Sequence, residues 1–307
     1  MSAGLLAPWL ALLAQAAGPP VFEAGVETVY VDAFVTRGEA AGPRLTAGQF
    51  ELLDDGQRQS LRLVDQQAVG VRAVLVLDLS GSIEGRKLEE LRAACRAFVD
   101  GLGPRDEAAV LAVRERLELL VPPTGDRERL HAVLSRLEAG GATALHDALY
   151  AALRLEPGER RPLVVVFSDG RDNLSWLRRQ DLQAAVETSS ALLYGIGLGQ
   201  FVLAPGDQAA FSEPELPAGM RFMERLAQST GGRFWAARRP EALRAAFLRV
   251  LGETRERYLL AYDPPGPVRP GYHELRVRLR GVKGQVRARP GYRVRRRAPE
   301  STSRPGG

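Results

Sequence analysis

The pattern of hydrophobic and polar positions divides the chain into three stretches. Between residues 71 and 257, continuous apolar runs alternate with amphipathic ones. The runs are "AVLVLD" (73–78), "AAVLAV" (108–113), "RLELLV" (116–121), "PLVVVFSD" (162–169), "ALLYGIGLG" (191–199) and "RFWAA" (233–237). Such runs predict strands buried on both faces. Between them, helical spacing of apolar residues predicts helices over 86–101, 126–138, 144–155, 179–190, 218–229 and 241–257. The alternation predicts an α/β fold with a doubly wound, mostly parallel six-stranded sheet. The closeness of 108–113 and 116–121 makes that pair a hairpin, so one edge strand is expected to be antiparallel.

The two flanks read differently. Over 21–70, "TVYVDAFVT" (28–36) is β-branched and aromatic, and "QFELLD" (49–54) and "SLRLVD" (60–65) flank "DDGQ", whose Asp-Gly signals a hairpin turn. Over 258–295, "YLLAYDP" (258–264) precedes "HELRVRLR" (273–280), where Leu275, Val277 and Leu279 alternate with arginines, and "VRARPGYRV" (286–294) reads as one more strand. Each flank is too small to fold alone. The economical solution is one small β-sandwich made from both, with the 71–257 domain inserted between them.

At the ends, residues 1–17 carry an apolar core from Leu5 to Ala14 and small residues at "AQA". They read as a cleavable signal peptide, though no Lys or Arg precedes the apolar run. That run is shorter than the roughly 20 residues of a spanning helix. A secreted or periplasmic protein with no membrane span is expected. The terminal 296–307 reads as a disordered basic tail, solvated or in contact with an acidic envelope surface.

Composition changes this picture little. With 307 residues, 45% of them hydrophobic and 26% charged, the chain has material for about two cored domains. The net charge of +5 is carried almost wholly by arginine, since Lys87 and Lys283 are the two lysines. Those arginines are spread along the chain, so no nucleic-acid partner is inferred. The one cysteine, Cys95, falls on the apolar face of the 86–101 helix and reads as a buried small hydrophobe.

The chemistry gathers at strand ends, where ligands sit in doubly wound sheets. The first inner strand ends at Asp78, with Ser80 and Ser82 in the loop. "GGAT" places Thr143 at the N-cap of the 144–155 helix, and Asp169 lies at the tip of the strand 162–168. Asp78 alone could be a helix cap, a hydrolase nucleophile or a metal ligand. Converging loops would supply two carboxylates and three hydroxyls, an all-oxygen set suited to a hard divalent cation, Mg²⁺, Mn²⁺ or Ca²⁺.

The D-x-S-x-S run Asp78-Leu79-Ser80-Gly81-Ser82, with Thr143 and Asp169 at their separations, resembles the metal-ion-dependent adhesion site of von Willebrand factor type A domains. The resemblance covers roughly 72–255, and "VDAFVT", "FELLDDGQRQSL" and "ARPGYRV" look like a bacterial exported subfamily. It implies Mg²⁺ held by Asp78, Ser80, Ser82, Thr143 and Asp169, and a partner protein whose exposed Asp or Glu completes the coordination. It implies a binding module and not an enzyme. Arg171 and Trp176, in the loop after Asp169, are candidate partner contacts, although Trp176 could instead pack on the neighbouring helix. Glu84 reads as a solvated loop charge and His146 as a partly buried helix residue.

Two other readings stay open. Asp78 occupies the nucleophile position of D-x-D-x-T phosphatases, but Ser80 replaces the second carboxylate. His131, His146 and His273 show no triad or zinc spacing, and no G-x-S-x-G or P-loop occurs. The other alternative is a structural envelope protein with a vestigial site.

Overall fold

The computed structural model describes residues 28–37, 40–41, 44–155, 160–199, 216–266 and 268–294. The signal-peptide segment and the terminal tail lie outside them. The central unit is a six-stranded sheet in the order Phe234–Ala237, Leu192–Leu198, Arg161–Ser168, Val71–Asp78, Glu107–Val113, Leu117–Thr124. Every neighbouring pair is parallel except the last, which is the expected antiparallel edge hairpin.

The continuous apolar runs have their cause here. Ala73–Asp78 is buried at every position, because helices cover both faces. Helices Arg86–Asp100, Arg127–Ser135 and Leu243–Glu256 pack on one side and Leu145–Arg154, Arg179–Thr188 and Ala218–Ser229 on the other. Cys95 is buried in the first layer, as its helical spacing indicated, and burial pushes its thiol well above the ordinary range. Each large aliphatic side chain removed from water contributes about 1.5–3 kcal/mol, so the sheet is a rigid frame for whatever its loops carry.

The flanks form two antiparallel sheets, each drawing on both ends of the chain. One holds Val29–Arg37 between Tyr258–Tyr262 and Gln285–Arg287, with Leu61–Val64 beyond Tyr258–Tyr262. The other runs Gly291–Val294, Gly271–Leu279, Phe50–Asp54, Gln57–Arg58. Val31, Leu52, Leu260 and Leu275 are among the residues buried between them. Two expected pairings differ. The Asp55-Gly56 turn forms, with both residues at positive φ, but the strand after it pairs for two residues only, and Leu61–Val64 crosses to the other sheet. The segment 286–294 is two strands, divided at Arg289-Pro290, since Pro290 has no amide to donate to a ladder.

The sandwich sits below the amino-terminal ends of the central parallel strands. Arg161, the first residue of its strand, pairs with Asp32 of the sandwich. Arg257, between the last helix and Tyr258–Tyr262, is buried and donates to the Tyr194 hydroxyl (3.2 Å) and the Gly231 carbonyl. The carboxyl ends of the strands, with Asp78 and Asp169, therefore face away from the flanks. No helix among the described residues is long and apolar enough to cross a membrane.

Candidate metal centre

Asp78 closes its strand with no exposed surface. Its Oδ1 accepts the Ser80 amide (3.1 Å) and the Thr143 hydroxyl (3.2 Å), and its Oδ2 accepts the Ser168 hydroxyl (2.7 Å). All three donors are neutral. Burial is the main cause raising its pKa above 3.8. The Ser168 and Ser80 hydrogen bonds oppose that rise and the nearby Asp169 adds to it. A buried carboxylate held only by neutral donors, with a second carboxylate near, lacks the positive charge that would stabilise it. The opening beside it is lined by oxygen: Ser80 Oγ lies 3.1 Å from Ser82 Oγ, and Ser82 Oγ donates to Asp169 Oδ2 (3.2 Å). Thus Asp78, Ser80, Ser82, Thr143 and Asp169 converge, and the donor set fits a hard divalent cation.

Thr143 reaches Asp78 because it is not the N-cap the sequence pattern indicated. The helix is Leu145–Arg154 with Ala144 at its cap, and Ala144 has no side-chain acceptor. The acceptors come instead from the loop after Asp169. Asp172 Oδ1 takes the Leu145 amide (3.3 Å), and Ser175 Oγ takes those of His146 (3.0 Å) and Asp147 (3.3 Å). With the helix end satisfied from outside, the Thr143 hydroxyl is free for Asp78. The same loop grips the Thr143 backbone: Asn173 Oδ1 accepts its amide (2.9 Å), and the Asn173 and Leu174 amides donate to its carbonyl (3.1 Å each). His146 is mostly buried, its Nδ1 2.6 Å from Asp172 Oδ2. Its place is to hold this loop.

Asp169 sits at the mouth. Gly170 follows at φ +80°, and a Cβ there would meet the Met220 amide nitrogen at 2.7 Å, so glycine is required for the turn that aims Asp169. Around the mouth, Lys87 Nζ donates to the Ser82 carbonyl (2.7 Å), and Arg171, 83% exposed, lies 3.8 Å from Asp169 Oδ2. A groove of about 340 Å³ runs beside Ser82, Lys87, Asp169 and Arg171. Trp176 does not pack on the neighbouring helix: it is 95% exposed. Its backbone is nonetheless fixed, since Asp147 accepts the amides of Trp176 (3.1 Å) and Leu177 (3.0 Å). Glu84 is exposed, as a loop charge should be.

Ser168 was missed by the sequence reading. It is the last residue of an apolar strand, and only its adjacency to Asp78 across the sheet reveals its part. A second group, Asp54, Asp55 and His273, has donor atoms within 4.8 Å of one another but lies in the flanking sandwich.

Comparison with known proteins agrees with this geometry. Residues 73–171, which run from the strand of Asp78 through Asp169, match the von Willebrand factor type A domain family. The central unit has the von Willebrand factor type A fold. A UPF0353 protein of Mycobacterium bovis is 25% identical over 218 residues, 64% of this chain and 64% of the relative, so the chain spans under two thirds of that relative's length. A von Willebrand factor type A structure from Catenulispora acidiphila superposes with a TM-score of 0.50 over 89% of this chain and 74% of its own, at 14% identity. Proximal thread matrix protein 1 from the mussel byssus, solved with a zinc-occupied adhesion-site motif, gives 0.50 over 65% of this chain and 49% of its own, at 16% identity. At such identities the two structures establish the shared type A fold.

Proposed function

We propose that this type A domain is a protein-interaction module, not an enzyme, which holds a divalent cation between Asp78, Ser80, Ser82, Thr143 and Asp169 and captures a carboxylate of a partner protein there. The observation that carries the reading is Asp78, fully buried with three neutral donors and no cationic side chain among them. Mg²⁺ suits the all-oxygen set best, with Mn²⁺ and Ca²⁺ as substitutes. A bound cation would supply a Lewis-acidic coordination position for the incoming Asp or Glu. The chain's own residues do the rest. Lys87 and Arg171 give the groove a positive rim that draws an acidic side chain in, and Trp176, five residues after Arg171 on the same loop, offers an exposed apolar surface. Absence of a second carboxylate at position 80 speaks against phosphatase chemistry. The 1–17 segment supports export to the periplasm or beyond.

Millimolar Mg²⁺ or Mn²⁺ is expected to raise the melting temperature of the wild-type chain and to leave that of Asp78→Ala nearly unmoved. Partner capture from an envelope extract is expected to vanish with chelator and with Asp78→Ala. No thermal shift with either ion would refute the cation reading, and chelator-resistant capture would refute the carboxylate reading.

A further inference from the structure

The hairpin turn after Phe50–Asp54 and the strand Gly271–Leu279 bring together Asp54, Asp55 and His273. His273 Nδ1 lies 3.0 Å from Asp55 Oδ2 and 3.5 Å from Asp54 Oδ1. The other ring nitrogen settles the tautomer. Nε2 is 2.7 Å from the Arg269 carbonyl, which can only accept, so Nε2 carries a proton. A histidine whose far N–H is tied to a backbone carbonyl is held as metal-ligating histidines are, with its second nitrogen aimed at the ion.

Asp54 supplies an independent observation. Its side chain is 8% exposed. Oδ2 is fully engaged, accepting the hydroxyls of Tyr262 (2.6 Å) and Tyr292 (3.1 Å). Oδ1 is buried and accepts no hydrogen bond, yet it faces His273 Nδ1. A proton on Nδ1 would serve Asp55, the nearer oxygen, and leave Asp54 Oδ1 beyond good hydrogen-bond range. One cation between the three atoms satisfies all of them. We infer that Asp54, Asp55 and His273 form a second divalent-cation site, separate from the one at Asp78. With one imidazole nitrogen and two carboxylate oxygens, it takes a borderline transition ion such as Zn²⁺ rather than Mg²⁺. Asp55 is exposed, which gives the ion its way in. The site links a turn of the amino-terminal flank to a strand of the carboxyl-terminal flank, so zinc staples the sandwich shut.

The test uses Zn²⁺ alone with the full chain near neutral pH. In an Asp78→Ala background, calorimetry is expected to retain one zinc equivalent. Adding Asp55→Asn, an exposed and conservative change, is expected to weaken it roughly tenfold or more, and His273→Ala to remove it. With three histidines in the chain, nitrogen-15 spectra of the wild-type rings provide a second readout that needs no variant. Zinc is expected to shift Nδ1 of His273 and leave Nε2 protonated. Zinc binding unchanged by Asp55→Asn, binding lost through His131→Ala instead, or a His273 Nδ1 still protonated in saturating zinc would overturn the inference.

Discussion

At the scale of single residues, Asp78 sets the behaviour of the site. Its pKa is held above 3.8, first by burial. Without a cation, the folded chain therefore binds that proton more tightly than the unfolded chain does. The stability this contributes is complete below the unfolded pKa and is lost as pH rises through the raised folded value. Wherever the pH ionises the cation-free Asp78, its buried charge is a burden on the fold. Asp78→Asn keeps an acceptor for the Ser80 amide and turns a donor toward Ser168. In chelator it is expected to equal or exceed the wild-type melting temperature at neutral pH, to lose that advantage in acid, and to gain nothing from Mg²⁺. Melts across that pH range, with and without the ion, check this; a variant less stable than wild type in chelator at neutral pH contradicts it.

At the scale of elements, the loop after Asp169 does three jobs with a handful of residues. Asp172 and Ser175 cap a helix, Asn173 fixes Thr143, and Trp176 stands out into water on a backbone clamped by Asp147. An exposed aromatic on a preordered loop binds at little entropic cost. Trp176→Ala is expected to leave stability within about 0.5 kcal/mol and to weaken capture of the partner by about tenfold, near 1.4 kcal/mol. Urea unfolding beside a binding isotherm separates the two. Much of this level was legible in the sequence. Strands buried on both faces must be apolar throughout, so the four inner runs announced the sheet. The edge strand Leu117–Thr124, also expected to be buried on both faces, is largely exposed because nothing pairs beyond it. D-x-S-x-S and Asp169 fell at strand ends and Thr143 just ahead of a helix. Other features depend on partners distant along the chain. Ser168 lies inside an apolar run, and the capping of Leu145–Arg154 comes from a loop about thirty residues on. Asp54, Asp55 and His273 meet only through the pairing of Phe50–Asp54 with Gly271–Leu279. The crossing of Leu61–Val64 to the second sheet was hidden for a similar reason, since a strand's own pattern does not name its neighbour.

At the scale of the whole molecule, the sandwich and the type A domain meet through buried arginines. Arg257 is 2% exposed, lies 4.0 Å from Asp32, and stacks its guanidinium near Phe34 and Tyr194. The Arg287–Glu253 pair, with Glu253 also accepting the Tyr194 hydroxyl (3.0 Å), ties the last helix to the flank. Arg257→Ala removes a buried guanidinium packed near Phe34 and Tyr194 and leaves a void between the two units, so it is expected to cost about 3 kcal/mol in urea unfolding. Because the loops proposed to hold the cation lie at the other end of the sheet, the thermal shift expected with Mg²⁺ should persist in this variant. Loss of the shift would mean that the two ends are coupled.

The strands Leu61–Val64 and Tyr258–Tyr262, by which the chain passes into and out of the type A domain, lie side by side in one sheet. Tyr258–Tyr262 is registered with Val29–Arg37 through five residue pairs and with Leu61–Val64 through four. Backbone hydrogen bonds in antiparallel sheets run across the strands. Both connections leave from the same end, Val64 opposite Leu259, so a pull on the type A domain reaches the two strands together and is passed on to Val29–Arg37. The inserted arrangement makes the sandwich one shared anchor for both connections to the type A domain.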